Sequence, residues 1–171
     1  QIHSISRLTT FWSQINLALV AESRGQTLFE YLPHVWFHLA AGADENQFLR
    51  GLQLAGTPYR CVVRGESFLD KLYHRVGNDH GAMVRFGHCP FRVECDRYRG
   101  SIGEFLVTVT LNPGVSREIE RTYAATGSAR EVSVGKLNEL FNRTESVTVV
   151  VERGTTKASR VRKEFKEFFG A

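Results

Sequence analysis

From Phe91 to Leu111 the chain alternates apolar and polar side chains with one short break, and a period of two commits a segment to sheet rather than helix. Phe91, Val93 and Cys95 fall on one face, with Arg92, Glu94, Asp96 and Tyr98 on the other. Arg99-Gly100-Ser101-Ile102-Gly103 reads as a turn, since its two glycines tolerate positive φ. Phe105, Val107, Val109 and Leu111 then alternate with Glu104, Leu106, Thr108 and Thr110 until Asn112-Pro113-Gly114 stops the run. The expectation is an antiparallel hairpin, joined by a third strand over Ala82–Phe86.

The segments before it read as helices. Ile5, Leu8, Phe11, Trp12, Ile15 and Leu19 keep helical spacing, which predicts an amphipathic helix over Ser4–Ser23 ending at Gly25. Pro33 interrupts the apolar run Leu28–Ala41, so His34–Ala41 reads as a short helix closed by Gly42. Asp44 and Gln47 form a capping box for another helix, with Phe48, Leu49, Leu52 and Ala55 as its stripe and a stop at Gly56 and Pro58. The first third is therefore expected to be helical. Tyr59–Arg64 reads as a strand with Arg60 and Arg64 on one side, and Ser67 with Asp70 as a second capping box.

After the hairpin, Ile119, Arg121 and Tyr123 alternate, so Val115–Val134 is read as strand, although Ser116 also offers a helix cap. Ser133 caps a helix bearing Val134, Leu137, Leu140 and Phe141; Val147, Val149 and Val151 make a β-branched strand. Thr156 caps a last helix with Ala158, Val161, Phe165, Phe168 and Phe169 on one face and Lys157, Arg160, Lys163, Lys166 and Glu167 on the other. The fold expected is one α+β domain over 1–171, helical over 1–56 and sheet-containing over 57–171. Its sheet would be antiparallel, of about four to six strands, with amphipathic helices mainly on one face.

Several function classes are disfavoured. No window reaches the roughly 18–20 apolar residues of a membrane span, and Phe11–Ala21 lacks the basic start of a secretory leader. Three cysteines, Cys61, Cys89 and Cys95, form no framework and read as free thiols in a reducing compartment, the cytoplasm. His34 and His38 have the spacing of a metal pair, but Val35, Trp36 and Phe37 between them make them hydrogen-bonded members of a core or rim. His88, Cys89 and Cys95 are equally poor ligands, because the cysteines stand six apart and Cys95 falls on the apolar face. No nucleophile elbow or phosphate-cradling glycine loop is present, and His74, Asp79 and His80 sit in a turn-like stretch. No metal or cofactor is expected, and the balance is against an enzyme.

Binding is what remains. The first reading is a non-catalytic protein-binding or regulatory module that contacts another protein, or itself, through Phe165, Phe168 and Phe169; the same rings would otherwise close the domain's own core. The alternative is an RNA- or single-strand-binding domain. Its net charge of +4 comes from 22 basic and 18 acidic residues, only five of the basic ones lysine. Arginine forks onto phosphate, though GC-rich coding also enriches it. The residues in question are Arg60, Arg64, Arg92, Tyr98 and Arg99 of the sheet, and Lys157, Arg160 and Lys163 of the last helix. An enzyme with a site assembled from distant residues is the third possibility.

Overall fold

The computed structural model describes residues 4–72, 81–91 and 96–170, and of residues 37–41 the backbone alone. Helix α1 spans Ile5–Glu22; the Ser4 hydroxyl accepts from the Arg7 N–H and so satisfies one orphan donor of its first turn. Strand β1 (Leu28–Leu32) leads into α2 (Phe37–Leu54), β2 (Tyr59–Val63), α3 (residues 68–72), β3 (Met83–Phe86), and the hairpin of β4 (Tyr98–Ile102) and β5 (Phe105–Leu111). Helix α4 (Pro113–Ala125), a 3₁₀ turn at Ala129–Glu131, α5 (Val134–Asn142), β6 (Val147–Arg153) and α6 (Thr156–Phe169) complete the chain.

The six strands form one sheet in the order β3-β2-β1-β4-β5-β6. The α+β class holds, but the sheet is mixed and not purely antiparallel. β1, β2 and β3 run parallel, while β4, β5 and β6 pair antiparallel. Parallel neighbours need a crossover, and α2 and the α3 segment connect β1 to β2 and β2 to β3. The chain thus builds outward from β1 to β3, then returns to the other side of β1 with β4.

Each face of the sheet carries a core. The larger lies under α1, α2, α4 and α5 and takes Leu28 and Leu32 of β1, Cys61 and Val63 of β2, and Val107 and Val109 of β5. The smaller takes Phe29, Tyr31, Val62 and Leu106, roofed by Ala158, Val161, Phe165 and Phe169 of α6. Among the described helices α6 alone covers this face. Thr155 caps it, the hydroxyl accepting from the Ala158 N–H at 3.0 Å, one residue before the cap expected at Thr156.

Four further expectations are corrected. The first third is not all helical, because it contains β1, which joins the parallel strands to the antiparallel ones and is buried at every residue. Gly42 closes nothing: α2 runs unbroken through it, and Asp44 accepts from the Thr10 hydroxyl at 2.6 Å instead of capping. Val115–Ala125 is helix, not strand. Asn112 caps it at the Gly114 N–H, Pro113 supplies a pre-set φ at its start, and Val115, Ile119 and Tyr123 bury at a spacing of four. The hairpin turn is Gly103-Glu104, with Gly103 at φ +55° and Ile102 opposite Phe105, so Arg99–Ile102 belong to the strand.

Arg92, Cys95, His74, Asp79 and His80 lie outside the described residues. Cys61 is a free, buried thiol whose pKa burial pushes up, whereas Cys89 is disulfide-bonded, so the three-free-thiol expectation and the compartment argument resting on it do not hold. Among the described residues no helix is long and apolar enough to cross a membrane.

Candidate functional site

Arg99 is where the outer face becomes polar. In β4 it alternates with Tyr98 and Gly100, so it points to the α6 side while Tyr98 packs into the larger core, its ring 4.1 Å from that of Trp36. Arg99 is only 2% exposed, and its guanidinium lies 4.4 Å from the centre of the Phe91 ring. Phe91 in turn meets Tyr31 and Phe165 edge-on, at 5.2 and 5.0 Å. A flat cation on a fixed aromatic is a preorganised floor.

Above that floor α6 presents its polar flank. Pro90, Phe91 and Arg99 on one side and Lys157, Arg160, Lys163, Glu164 and Glu167 on the other line a cleft of about 530 Å³. Lys157 is paired with Glu152 at 2.8 Å and Lys163 loosely with Glu167 at 3.7 Å. Arg160 is exposed and has no counter-ion among the described residues. Four of the eight residues read as nucleic-acid contacts, Arg99, Lys157, Arg160 and Lys163, thus line one cleft.

Of the other four, the three that are described do not join them. Tyr98 is buried on the opposite face, and Arg92 lies outside the described residues. Arg60 stands over the Phe169 ring at 5.7 Å, nine residues and roughly 13 Å along α6 from Arg160. Arg64 pairs with Glu120 at the far ends of β1 and β2. Of the three rings read as a docking surface, Phe165 and Phe169 are buried against Phe29 at 5.5 and 6.0 Å, and Phe168 is half-buried beside them.

A second polar cluster joins residues that the sequence reading kept apart. His34 follows the end of β1, and its Nδ1 lies 3.0 Å from Asp70 Oδ2 while its Nε2 lies 3.0 Å from Glu120 Oε2. Burial pushes the imidazole pKa down, but the hydrogen bonds and charges of Asp70 and then Glu120 outweigh it and raise the value above 6.5. Asp70 also accepts from the Val35 and Ser67 N–H groups and the Ser67 hydroxyl. The Tyr123 hydroxyl donates to the Val35 carbonyl at 2.5 Å, with its ring 4.6 Å from the imidazole. Gly65 makes room: a Cβ there would stand 2.6 Å from His34 Nδ1. Both imidazole nitrogens are engaged, so the cluster clamps α4 and the α3 turn to β1.

The sequence carries two signals for this cluster. Ser67 and Asp70 do form the expected capping box, the Asp70 N–H reaching the Ser67 hydroxyl at 3.2 Å. Once α4 is read as a helix from Asn112-Pro113, Glu120 and Tyr123 fall three apart on one face.

A third perturbed group is Glu30, fully buried on β1. Trp12 Nε1 donates to its Oε1 at 2.9 Å and the Tyr59 hydroxyl meets its Oε2 at 2.5 Å. Burial raises its pKa to about 8, with Tyr59 opposing, Glu45 adding and Trp12 opposing. Gly100 stands beside it, and the Trp12 ring rests 3.3 Å from where a Cβ would be. No protein-family model matches the chain, and no curated protein does either.

Proposed function

We propose that the chain is a non-catalytic module that binds single-stranded nucleic acid, RNA or DNA, in the cleft between α6 and the Pro90–Phe91 and β4 wall. What carries the reading is the convergence of Arg99, Lys157, Arg160 and Lys163 on that cleft. Phosphate neutralisation supplies most of non-specific affinity, and exposed Arg160 is the cation with least to give up on meeting a phosphate. The cleft's volume suits one nucleotide at a time rather than a duplex, and buried Arg99 adds positive charge beneath its floor.

Arg160→Ala and Lys163→Ala test this. Each is expected to weaken binding of a fluorescent single-stranded oligonucleotide and to flatten the plot of log affinity against log salt by about 0.7. Arg121→Ala, at an exposed position of α4, serves as the control and leaves both unchanged. Equal losses in all three variants would contradict the assignment of the cleft.

One observation favours the protein-binding reading as a second. β6 is an edge strand of seven residues whose Val150 and Val151 are 44% and 45% exposed, with neither proline nor lysine to blunt it. Open edges of this kind add strands from other chains. A sedimentation mass that rises with concentration in the wild type and not in Val150→Lys is the result this reading expects.

A further inference from the structure

On the opposite flank of α6 from the cleft, Arg162 lies over the Phe29 ring, its guanidinium carbon 5.7 Å from the centroid. Its Nη2 donates to Gln26 Oε1 at 2.8 Å, a neutral acceptor. Its Nη1 is buried, with no acceptor within reach among the described residues. None of the described carboxylates pairs with this arginine, and half-burial lowers its pKa with nothing opposing. A buried guanidinium donor without an acceptor is costly, and a guanidinium without a counter-ion more so.

The surroundings are open enough to take a ligand. Ser23, Arg24, Gln26, Ser159 and Arg162 border a depression of about 500 Å³ beside the β4–β5 turn. Glu22 and Glu104 border it too, but both turn toward Arg153, at 3.7 and 2.7 Å. Arg24 is exposed and has no counter-ion among the described residues. Two arginines without a counter-ion among the described residues and two hydroxyl side chains border the same space.

We propose that this depression is a site for a small oxyanion, a phosphate or carboxylate group, held by Arg162 with help from Arg24. The site is separate from the nucleic-acid cleft and stands whether or not that cleft binds a strand. A water molecule would satisfy the orphan N–H but not the charge; an oxyanion supplies both.

The test is a titration of the full chain with sodium phosphate, and separately with sodium acetate, at constant ionic strength, following the arginine side-chain N–H resonances by NMR. The expected result is a saturable shift at Arg162 with at least one of the two anions. Response to phosphate alone assigns a phosphate site, and response to both assigns a general oxyanion site. Arg162→Gln and Arg24→Gln are expected to weaken saturation about tenfold or more, with Arg121→Ala unaffected. Should Arg162→Gln fail to fold, Arg24→Gln and the wild-type shifts decide. Linear, unsaturating shifts with both anions, or saturation that survives both substitutions at Arg162 and Arg24, would overturn the proposal.

Discussion

Glu30→Gln is expected to stabilise the fold, and to do so more strongly the higher the pH. The Glu30 carboxyl sits in the larger core with its pKa raised to about 8, against an ordinary 4.5. A raised folded-state value means that the folded chain holds the proton where the unfolded chain has released it. The favourable contribution is therefore complete below about pH 4.5, falls away between 4.5 and 8, and leaves the fold carrying a buried carboxylate above that. At 1.36 kcal/mol per pH unit the loss amounts to at most about 5 kcal/mol. Glutamine has the same shape and no proton to lose. Its carbonyl oxygen accepts from Trp12 Nε1 and Asn16 Nδ2 as Oε1 does, at 2.9 and 3.4 Å, and its amide donates to the Tyr59 hydroxyl, which turns from donor to acceptor. Urea unfolding of both proteins at pH 5, 7 and 8.5 checks this. The gap should widen by a few kcal/mol in favour of glutamine, and because it is a difference, other titrating groups cancel. Parallel stability curves would mean that Glu30 stays charged in the fold.

Asp70→Ala is expected to cost about 3–5 kcal/mol, a large share of the roughly 5–15 kcal/mol that holds an ordinary domain folded. Asp70 is fully buried and accepts from the Val35 N–H, the Ser67 N–H, the Ser67 hydroxyl and His34 Nδ1. Alanine leaves the first three as orphan donors and strands His34 with only Glu120. The pH dependence should change as well. His34 has its pKa raised in the fold, so its stabilisation is full below the unfolded value near 6.5 and is lost as pH rises through the folded value. In Asp70→Ala that alkaline decline should shrink, since Asp70 is the stronger of the two partners that raise the value. Asp70→Asn keeps the size and one acceptor and should lose less. Thermal melts of the three proteins between pH 5 and 8 decide; an unchanged melting temperature in Asp70→Ala would refute the clamp.

How much of this is legible in the sequence depends on how local each signal is. α1, α5 and α6 announce themselves through a stripe of period 3.6 and a Ser or Thr cap, and β5 and β6 through alternation and β-branching. Leu28–Leu32 gives no such signal. As the strand at the heart of the sheet it is covered on both faces, so Leu28, Phe29, Tyr31 and Leu32 read as an unbroken apolar run with Glu30 inside it. Its parallel partnership with β2 is invisible in sequence because it joins residues about thirty apart, Leu28 with Tyr59 and Leu32 with Val63. α4 passes for a strand because Ile119 and Tyr123 fit a period of two through Arg121 as well as a period of four from Val115, and the cap at Asn112-Pro113 decides for helix. For the cleft, the cations of α6 stand out as a row. Arg99 is named with them in the sequence, but its place on a strand beside α6 is not legible there, because the turn expected at Arg99–Gly103 lies at Gly103-Glu104.

In the reading proposed above, the cleft between α6 and the Pro90–Phe91 and β4 wall holds a nucleic-acid strand through its phosphates. The measurement that tests it most directly is equilibrium binding of a short fluorescent single-stranded RNA, from about 50 to about 200 mM salt, to the wild type and to Arg160→Glu. The wild type is expected to bind near micromolar at the low end and to weaken log-linearly with salt. In Arg160→Glu at least a tenfold loss is expected at every salt concentration. Absence of binding at about 50 mM salt, or equal affinity in the two proteins, would contradict it.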